Sequence, residues 1–357
     1  MRAVVIGAGN IGRGFLGHLL SKSNSTTTFI DVDQGVVEAL NRLGRYPIHL
    51  IDGPTRTDWV ENISATTPNT PQAIECLCQA EFLAISVGAK FLPSTAPWLA
   101  KAIDLRLNHG KSTDILLCEN LANAAAHYRK ALSQHTKNAA KIGLVETSIG
   151  RMVPIQERNQ DLGIRVEAYA ELPVNQSAFT GPIPHVFGLR PVNPFLPFIH
   201  RKLFIHNAGH AIAAYLGHQQ SLTYIWECIE NPEILTITRS AMQESAKALH
   251  REHALDPIEL NEHIEDLLKR FANRALADQV SRVASDPVRK LHPQDRLLGA
   301  IRLCLNTKTQ PEALGVGTIA ALQFAFPHSS TRADQLFKLE QSLHTTIDPD
   351  IRALLLR

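Results

Sequence analysis

Lys202, Asn207 and His210 stand in the order K-x4-N-x2-H inside the segment KLFIHNAGH. At about 100° per residue on a helix, the three side chains fall within an arc of roughly 140°, so all can face one cleft. Such a trio suits an oxidation at an alcohol carbon, where a hydroxyl proton must leave and charge develops on the oxygen. A lysine partly buried beside a positive charge has a depressed pKa and can take that proton. Asn207 can donate an amide N–H to the oxygen, and His210 can orient the lysine or bind a second hydroxyl. The same residues also have plainer uses: a lysine on an amphipathic helix is usually a solvated charge, and Asn-x-x-His is often a local hydrogen bond. His206 and His210 are spaced i,i+4, but there is no H-E-x-x-H and no evident third ligand, so no metal is assigned.

A second group of residues opens the chain. Gly7-Ala8-Gly9-Asn10-Ile11-Gly12 is G-x-G-x-x-G, directly after the strand-like Ala3–Ile6 and before the apolar-striped run Ile11–Leu20. Gly7 permits the tight turn, Gly9 lets the backbone approach a pyrophosphate, and Gly12 lets helix and strand pack closely. The phosphates then meet N–H groups at a helix N-terminus. Asp31 ends the β-branched strand Thr26–Val32, where a carboxylate accepts the ribose hydroxyls of NAD and repels the 2′-phosphate of NADP. The expected cofactor is therefore NAD, held by Gly7, Gly9, Asn10, Ile11, Gly12 and Asp31, with Val87 at the end of a later strand. Arg13 is the one nearby charge that could favour NADP instead.

Strands must alternate with helices to position such a loop. Further buried strands are expected over Glu81–Val87, Asp114–Cys118 and Lys141–Val145, which makes the N-terminal part an α/β domain with a Rossmann-type doubly wound sheet. Ile164–Ala168 and Pro184–Val192 look like short extended pieces, expected to extend the sheet antiparallel. Pro182, Pro184, Pro191, Pro194 and Pro197 then exclude a continuous helix. The expected domains are 1–192, binding NAD, and 193–357, a mostly α-helical substrate and catalytic domain that includes helices over Ile199–Leu216 and Ile258–Phe271.

The 357 residues suit two domains. With 44% hydrophobic and 20% charged residues the chain is a globular protein rather than a disordered or fibrous one. Its net charge of +2 comes with no basic run, which argues against nucleic-acid and membrane-surface partners. The odd count of five cysteines suits reduced thiols, and Cys76 and Cys78 read as structural. No signal peptide is read before Ala3 and no run reaches membrane-spanning length, so a cytoplasmic location is expected.

Together, GAGNIGRGF at 7–15, CEN at 118–120, KLFIHNAGHAIAAYLG at 202–217, RFANRALADQVSRV at 270–283 and RKLHPQDRL at 289–297 resemble the polyol-specific long-chain dehydrogenases, the mannitol dehydrogenase family. The resemblance covers nearly the whole chain, and the family's K-x4-N-x2-H signature falls on Lys202, Asn207 and His210. It implies that Lys202 is the general acid/base and that Asn120 joins Asn207 as an oxyanion donor. From the residues alone, Asn120 reads as a loop position after a strand, at the edge where parallel sheets place ligands. The resemblance also points to Arg282 and Lys290 as substrate contacts, a guanidinium being suited to grip a sugar phosphate; the plainer alternative is an exposed helix whose basic residues pair with Asp286 and Asp295. One departure stands out: the family usually shows V-D-R after the fifth strand, whereas this chain has Ile149-Gly150-Arg151, without the carboxylate that would touch a substrate hydroxyl.

The expected activity is the reversible NAD-linked oxidation of D-mannitol 1-phosphate to D-fructose 6-phosphate, by a chain acting as a monomer on a small sugar or polyol phosphate. A dehydrogenase of an unphosphorylated polyol or a sugar acid is the enzymatic alternative. A non-catalytic NAD-binding protein is the alternative of another class, and Lys202, Asn120, Asn207 and His210 together argue against it.

Overall fold

The computed structural model describes residues 1–53, 56–121, 123–154 and 161–357, which divide into two units, Met1–Phe195 and Leu196–Arg357. The first unit is built on a six-stranded sheet whose central strands are buried on both faces. In β1 (Arg2–Ile6), Ala3 and Val5 enter one hydrophobic layer with Phe15, Leu19 and Phe29. Val4 and Ile6 enter the other, with Ala73, Leu77 and Leu83. Such continuous apolar runs are what a parallel sheet covered by helices on both faces requires.

The chain continues through a π-helical turn, Gly12–Gly17, into α1 (His18–Lys22), then β2 (Thr26–Ile30) and α2 (Gln34–Leu43). Asp33 caps α2 by accepting from the Val36 N–H, and Gly44 ends it in the left-handed region at φ 66°. Next come β3 (Tyr46–Leu50), β4 (Arg56–Val60), β5 (Ile63–Thr66) and α3 (Pro71–Gln79), capped by the Thr70 hydroxyl. Then follow β6 (Phe82–Ile85), α4 (Ala96–Asn108), β7 (Asp114–Leu117), α5 (Ala124–Leu132) and β8 (Gly143–Glu146).

The sheet order is β5-β2-β1-β6-β7-β8, parallel throughout. Counting only its own strands, this is 3-2-1-4-5-6, the doubly wound order in which ligands bind beyond the carboxyl ends of the strands where the winding reverses. That point lies between β1 and β6.

The late extended pieces pair differently from the expectation. β9 (Ile164–Val166) runs parallel to β3 in a three-stranded sheet with β4, and β10 (Leu172–Asn175) runs parallel to β11 (Leu189–Val192) in a separate pair. They form two small sheets, not an antiparallel extension of the main one. The physical reason is the pairing partner: β9 joins the β3–β4 hairpin, whose strands no clear alternation marks in the sequence.

The second unit is helical. α6 (Leu196–Arg201) passes through a second π-helical turn, Lys202–Asn207, into α7 (Ala208–Gln219). The remainder comprises α8 (Ile225–Glu230), α9 (Pro232–His253), α10 (Pro257–Phe271), α11 (Val280–Ala284), α12 (Pro287–Lys290), α13 (Leu298–Asn306), α14 (Glu312–Ala325), α15 (Arg332–Leu343) and α16 (Pro349–Leu356). Nearly every residue of α7 is buried, so it serves as the central helix. α9 approaches it at Gly209, where a Cβ would come within 2.6 Å of the Met242 sulfur, and α14 approaches through Gly317, packed on Ile212. Among the described residues no helix is long and apolar enough to cross a membrane.

Candidate active site

The glycine loop joins β1 to the first π-helical turn and is shaped by close backbone contacts. Gly7 has φ 97°, and a Cβ there would lie 2.4 Å from the Ser86 carbonyl oxygen on the neighbouring strand's end. At Gly12 a Cβ would meet the Gly7 carbonyl oxygen at 1.9 Å. Both positions therefore exclude a side chain for reasons internal to the fold. Gly9 differs, since a Cβ there would find nothing within 4 Å. Its missing side chain leaves room for something other than protein.

That room belongs to a cavity of about 440 Å³ at the β1/β6 switch point, lined by Gly7, Gly9, Asp31, Val87 and Trp98 among others. Asp31 follows β2 and holds the loop in place: Oδ2 accepts the Ala8 N–H at 2.6 Å and Oδ1 the Asp33 N–H at 2.9 Å. A carboxylate has lone pairs beyond these two for a ribose diol. Asn10 and Ile11 form the start of the helical turn, and no side chain caps it at Ile11. Its N–H groups suit an anion. A glycine opposite open space, a helix N-terminus and a ribose-level carboxylate thus fit a dinucleotide.

Arg13 stays beside this loop, with much of its guanidinium committed to protein and within reach of the Asp31 charge. Its Nε donates to the Ala8 carbonyl at 2.6 Å, NH1 donates to the Leu162 carbonyl at 2.7 Å, and its guanidinium lies over the Tyr46 ring. Glu119, beside Asn120 at the carboxyl end of β7, accepts the Gly88 N–H at 2.9 Å and thereby steadies the Val87–Gly88 backbone. Burial pushes its carboxyl up to about 7, against hydrogen bonds from the backbone of Gly88 and Val87.

In the second unit, the lysine signature sits on a π-helical turn instead of a regular helix. A π-turn adds a residue to the helical cycle and is frequent at functional sites. It changes the angular relation among Lys202, Asn207 and His210 from the one regular helical spacing implies. Burial lowers the Lys202 ammonium to about 8, and the positive charge of Arg296 adds to the effect. A lysine in that range is divided between base and acid near neutral pH.

His210 begins a chain of polar contacts. Its ring stacks on Phe271, with centroids 4.7 Å apart and planes at 13°, and its Nε2 lies 2.9 Å from Asp278 Oδ2. The other oxygen of Asp278 accepts from Nε of Arg282 at 2.8 Å, and from its NH2. Burial pushes the Asp278 carboxyl up, but hydrogen bonding and charge from His210 and Arg282 outweigh it, and the net shift is downward. The Arg282 side chain is 41% exposed, which leaves part of the guanidinium open to a ligand. Asp278 was not singled out from the sequence, although its i,i+4 spacing to Arg282 is a usable signal.

Lys290 is almost fully shielded, at 5% exposure, and its Nζ donates to the Ser285 carbonyl. Burial lowers it to about 8, with Arg296 and then Arg289 contributing and Asp286 and Asp295 opposing. Arg289 pairs with Asp286 and Asp295, as the plainer alternative for this segment supposes. Gly150 has its own constraint: a Cβ there would lie 2.9 Å from the Tyr169 ring. The neighbouring Arg151 is buried, donating to the carbonyls of Tyr169, Gly14 and Ala168 and lying over Phe15. Glu146 accepts the Ala125 N–H and so serves α5.

Known proteins resemble the chain along its whole length. The family model for the mannitol dehydrogenase Rossmann domain matches residues 1–186, and that for the mannitol dehydrogenase C-terminal domain matches residues 195–352. A mannitol-1-phosphate 5-dehydrogenase of Brevibacillus brevis is 33% identical over 341 residues, 93% of this chain and 88% of the relative. One of Bacillus licheniformis is 34% identical over 333 residues, 91% of this chain and 88% of the relative. Among solved structures, Pseudomonas fluorescens mannitol 2-dehydrogenase in ternary complex with NAD and D-mannitol superposes with a TM-score of 0.79 at 16% identity, covering 100% of this chain and 90% of that one. A substrate-free D-sorbitol dehydrogenase gives 0.81 at 15% identity, covering 100% and 92%. At those identities the solved structures speak for the fold alone.

Proposed function

This chain belongs to the mannitol dehydrogenase family, and from that premise we propose that it interconverts D-mannitol 1-phosphate and D-fructose 6-phosphate with NAD. The carrying observation is Lys202, brought to about 8 on the K-x4-N-x2-H turn. The relatives named as mannitol-1-phosphate 5-dehydrogenases support the choice of substrate. Bound NAD supplies the carbon-level oxidation by accepting a hydride. The chain's own residues do the rest.

Lys202 removes the hydroxyl proton during oxidation and returns it during reduction, a role that needs a pKa near the working pH. Asn207 and Asn120 donate amide N–H groups to the oxygen as charge accumulates on it, at a value of about 3 kcal/mol per donor in comparable sites. His210, anchored by Phe271 and facing Asp278, orients this polar set. Arg282 and Lys290 contact the substrate. Asp31 favours NAD over NADP by accepting ribose hydroxyls.

The test is NADH oxidation at matched concentrations of fructose 6-phosphate, fructose and fructuronate. Fructose 6-phosphate should have the highest kcat/KM. A preference for fructose or fructuronate would replace this reading with an unphosphorylated polyol or sugar-acid dehydrogenase, and no turnover of any would leave an NAD-binding protein.

A further inference from the structure

We propose that Arg296 is the specificity-determining residue that receives the phosphate group of the substrate, together with Lys290. The proposal rests on the polyol-phosphate function above and names the group that would distinguish it from action on free polyols.

The argument begins with donors. Arg296 directs its backbone N–H and its Nε at one oxygen of Asp295, at 2.6 and 2.8 Å. Its side chain is only 15% exposed. Among the described residues its terminal nitrogens, NH1 and NH2, make no hydrogen bond. With its Nε fixed on Asp295 and its terminal nitrogens unbonded but not sealed from solvent, the guanidinium keeps a fork available to an anion. Lys290 is more deeply buried still and spends one of its N–H groups on Ser285.

Position follows from the packing. Asp295 bridges Arg296 through Oδ1 and Arg289 through Oδ2, which fixes Arg296 relative to α12, the helix that carries Lys290. Three residues beyond Arg296, Gly299 is packed so tightly on Phe204 that a Cβ would come 3.0 Å from its ring. Phe204 lies in the π-turn that carries Lys202. Arg296 is therefore held beside both the proton-transferring lysine and the second buried lysine, and its charge is felt by each.

Charge completes the case. Lys202, Lys290 and Arg296 face one shielded carboxylate, Asp295, a surplus of two positive charges, while the adjoining Arg289–Asp286 pair is about half exposed and balances itself. A phosphate monoester carries about −1.5 to −2 near neutral pH, and a guanidinium fork matches two of its oxygens. A free polyol would leave that surplus uncompensated.

The experiment compares kcat and KM for fructose 6-phosphate and for fructose in the native enzyme, in Arg296→Gln and in Arg296→Lys. Loss of one charge-assisted contact should cut kcat/KM for fructose 6-phosphate by roughly 10- to 150-fold, mainly through KM, and change kcat/KM for fructose by less than about threefold. Arg296→Lys should recover part of the loss, since it keeps the charge and forfeits the fork. Inorganic phosphate should compete with fructose 6-phosphate but not with fructose in the native enzyme, and more weakly in Arg296→Gln. Equal losses on both sugars would make Arg296 a group acting through Lys202 and overturn the proposal, as would an unchanged preference in Arg296→Gln. A native enzyme with no preference for fructose 6-phosphate would instead overturn the polyol-phosphate function itself.

Discussion

Two buried lysines held near the same pKa make a sharp statement about pH. Lys202 and Lys290 each titrate at about 8, burial being the main cause in both and Arg296 the next. In ketose reduction Lys202 must be protonated to deliver its proton, and Lys290 must be cationic to hold a phosphate. Two pH units above a pKa, only ~1% of a lysine remains protonated. Reduction of fructose needs only Lys202, half protonated at about pH 8, so its kcat/KM should fall about 50-fold between about pH 8 and about pH 10. Reduction of fructose 6-phosphate should fall further, because neutralising Lys290 removes a contact worth roughly 10- to 150-fold. On a logarithmic plot the phosphorylated sugar should descend with a slope steeper than −1 and the free sugar with a slope of −1. Oxidation needs Lys202 neutral and Lys290 charged, so kcat/KM for mannitol 1-phosphate should be bell-shaped around 8, with apparent pKa values belonging to the pair. The assay is the initial rate of NADH consumption or formation across that range at saturating cofactor. Lys202→Ala should lower the rate at least about 100-fold and abolish the descent seen with fructose. A flat profile through pH 10 with both sugars would refute Lys202 as the proton donor, and parallel slopes would refute a phosphate contact for Lys290.

The cofactor loop offers a paired test. Gly9→Ala should leave the melting temperature unchanged and weaken NAD binding, measured by cofactor fluorescence titration, because its Cβ meets no protein atom within 4 Å; Gly7→Ala should instead destabilise the fold, since its Cβ would stand 2.4 Å from a carbonyl oxygen at φ 97°. Equal stability of the two variants would contradict this account of the loop. Asp31→Ser should narrow the preference for NADH over NADPH in kcat/KM by removing a repulsive charge, and a native enzyme using both cofactors equally would remove Asp31 from that role. Restoring the family's carboxylate by Gly150→Asp should lower the melting temperature and not sharpen substrate discrimination, because Tyr169 occupies the space; an unchanged melting temperature with tighter discrimination would show that the ring moves aside at little cost.

Much of the molecule was legible along the chain because the signals are local. A strand buried on both faces must be continuously apolar, and Ala3–Ile6 and Ile115–Leu117 announce themselves that way. The glycines of the cofactor loop answer to neighbours a few residues away and to one adjacent strand end. Lys202, Asn207 and His210 are close in sequence, so their type and spacing already suggested shared chemistry, and the CEN segment brought in Asn120 through resemblance. β5 was missed because ISAT is short and half polar, and the β3–β4 hairpin because Tyr46–Leu50 contains Pro47 and His49 and β4 is largely exposed.

Tertiary structure alone decided which ionisable groups matter and how. Nothing in the chain order says that Arg13 turns to the Ala8 and Leu162 carbonyls, that Tyr169 fills the space at Gly150, or that Asp278 joins His210 to Arg282. The π-turn beneath Lys202 is equally invisible to a pattern of regular helical period. Sequence specifies residue type and local period, whereas desolvation and Coulomb fields depend on distances through space, set by packing between segments remote in the chain. The shift of Lys202 toward neutral pH is such a quantity, since it arises from burial and from Arg296, almost a hundred residues away.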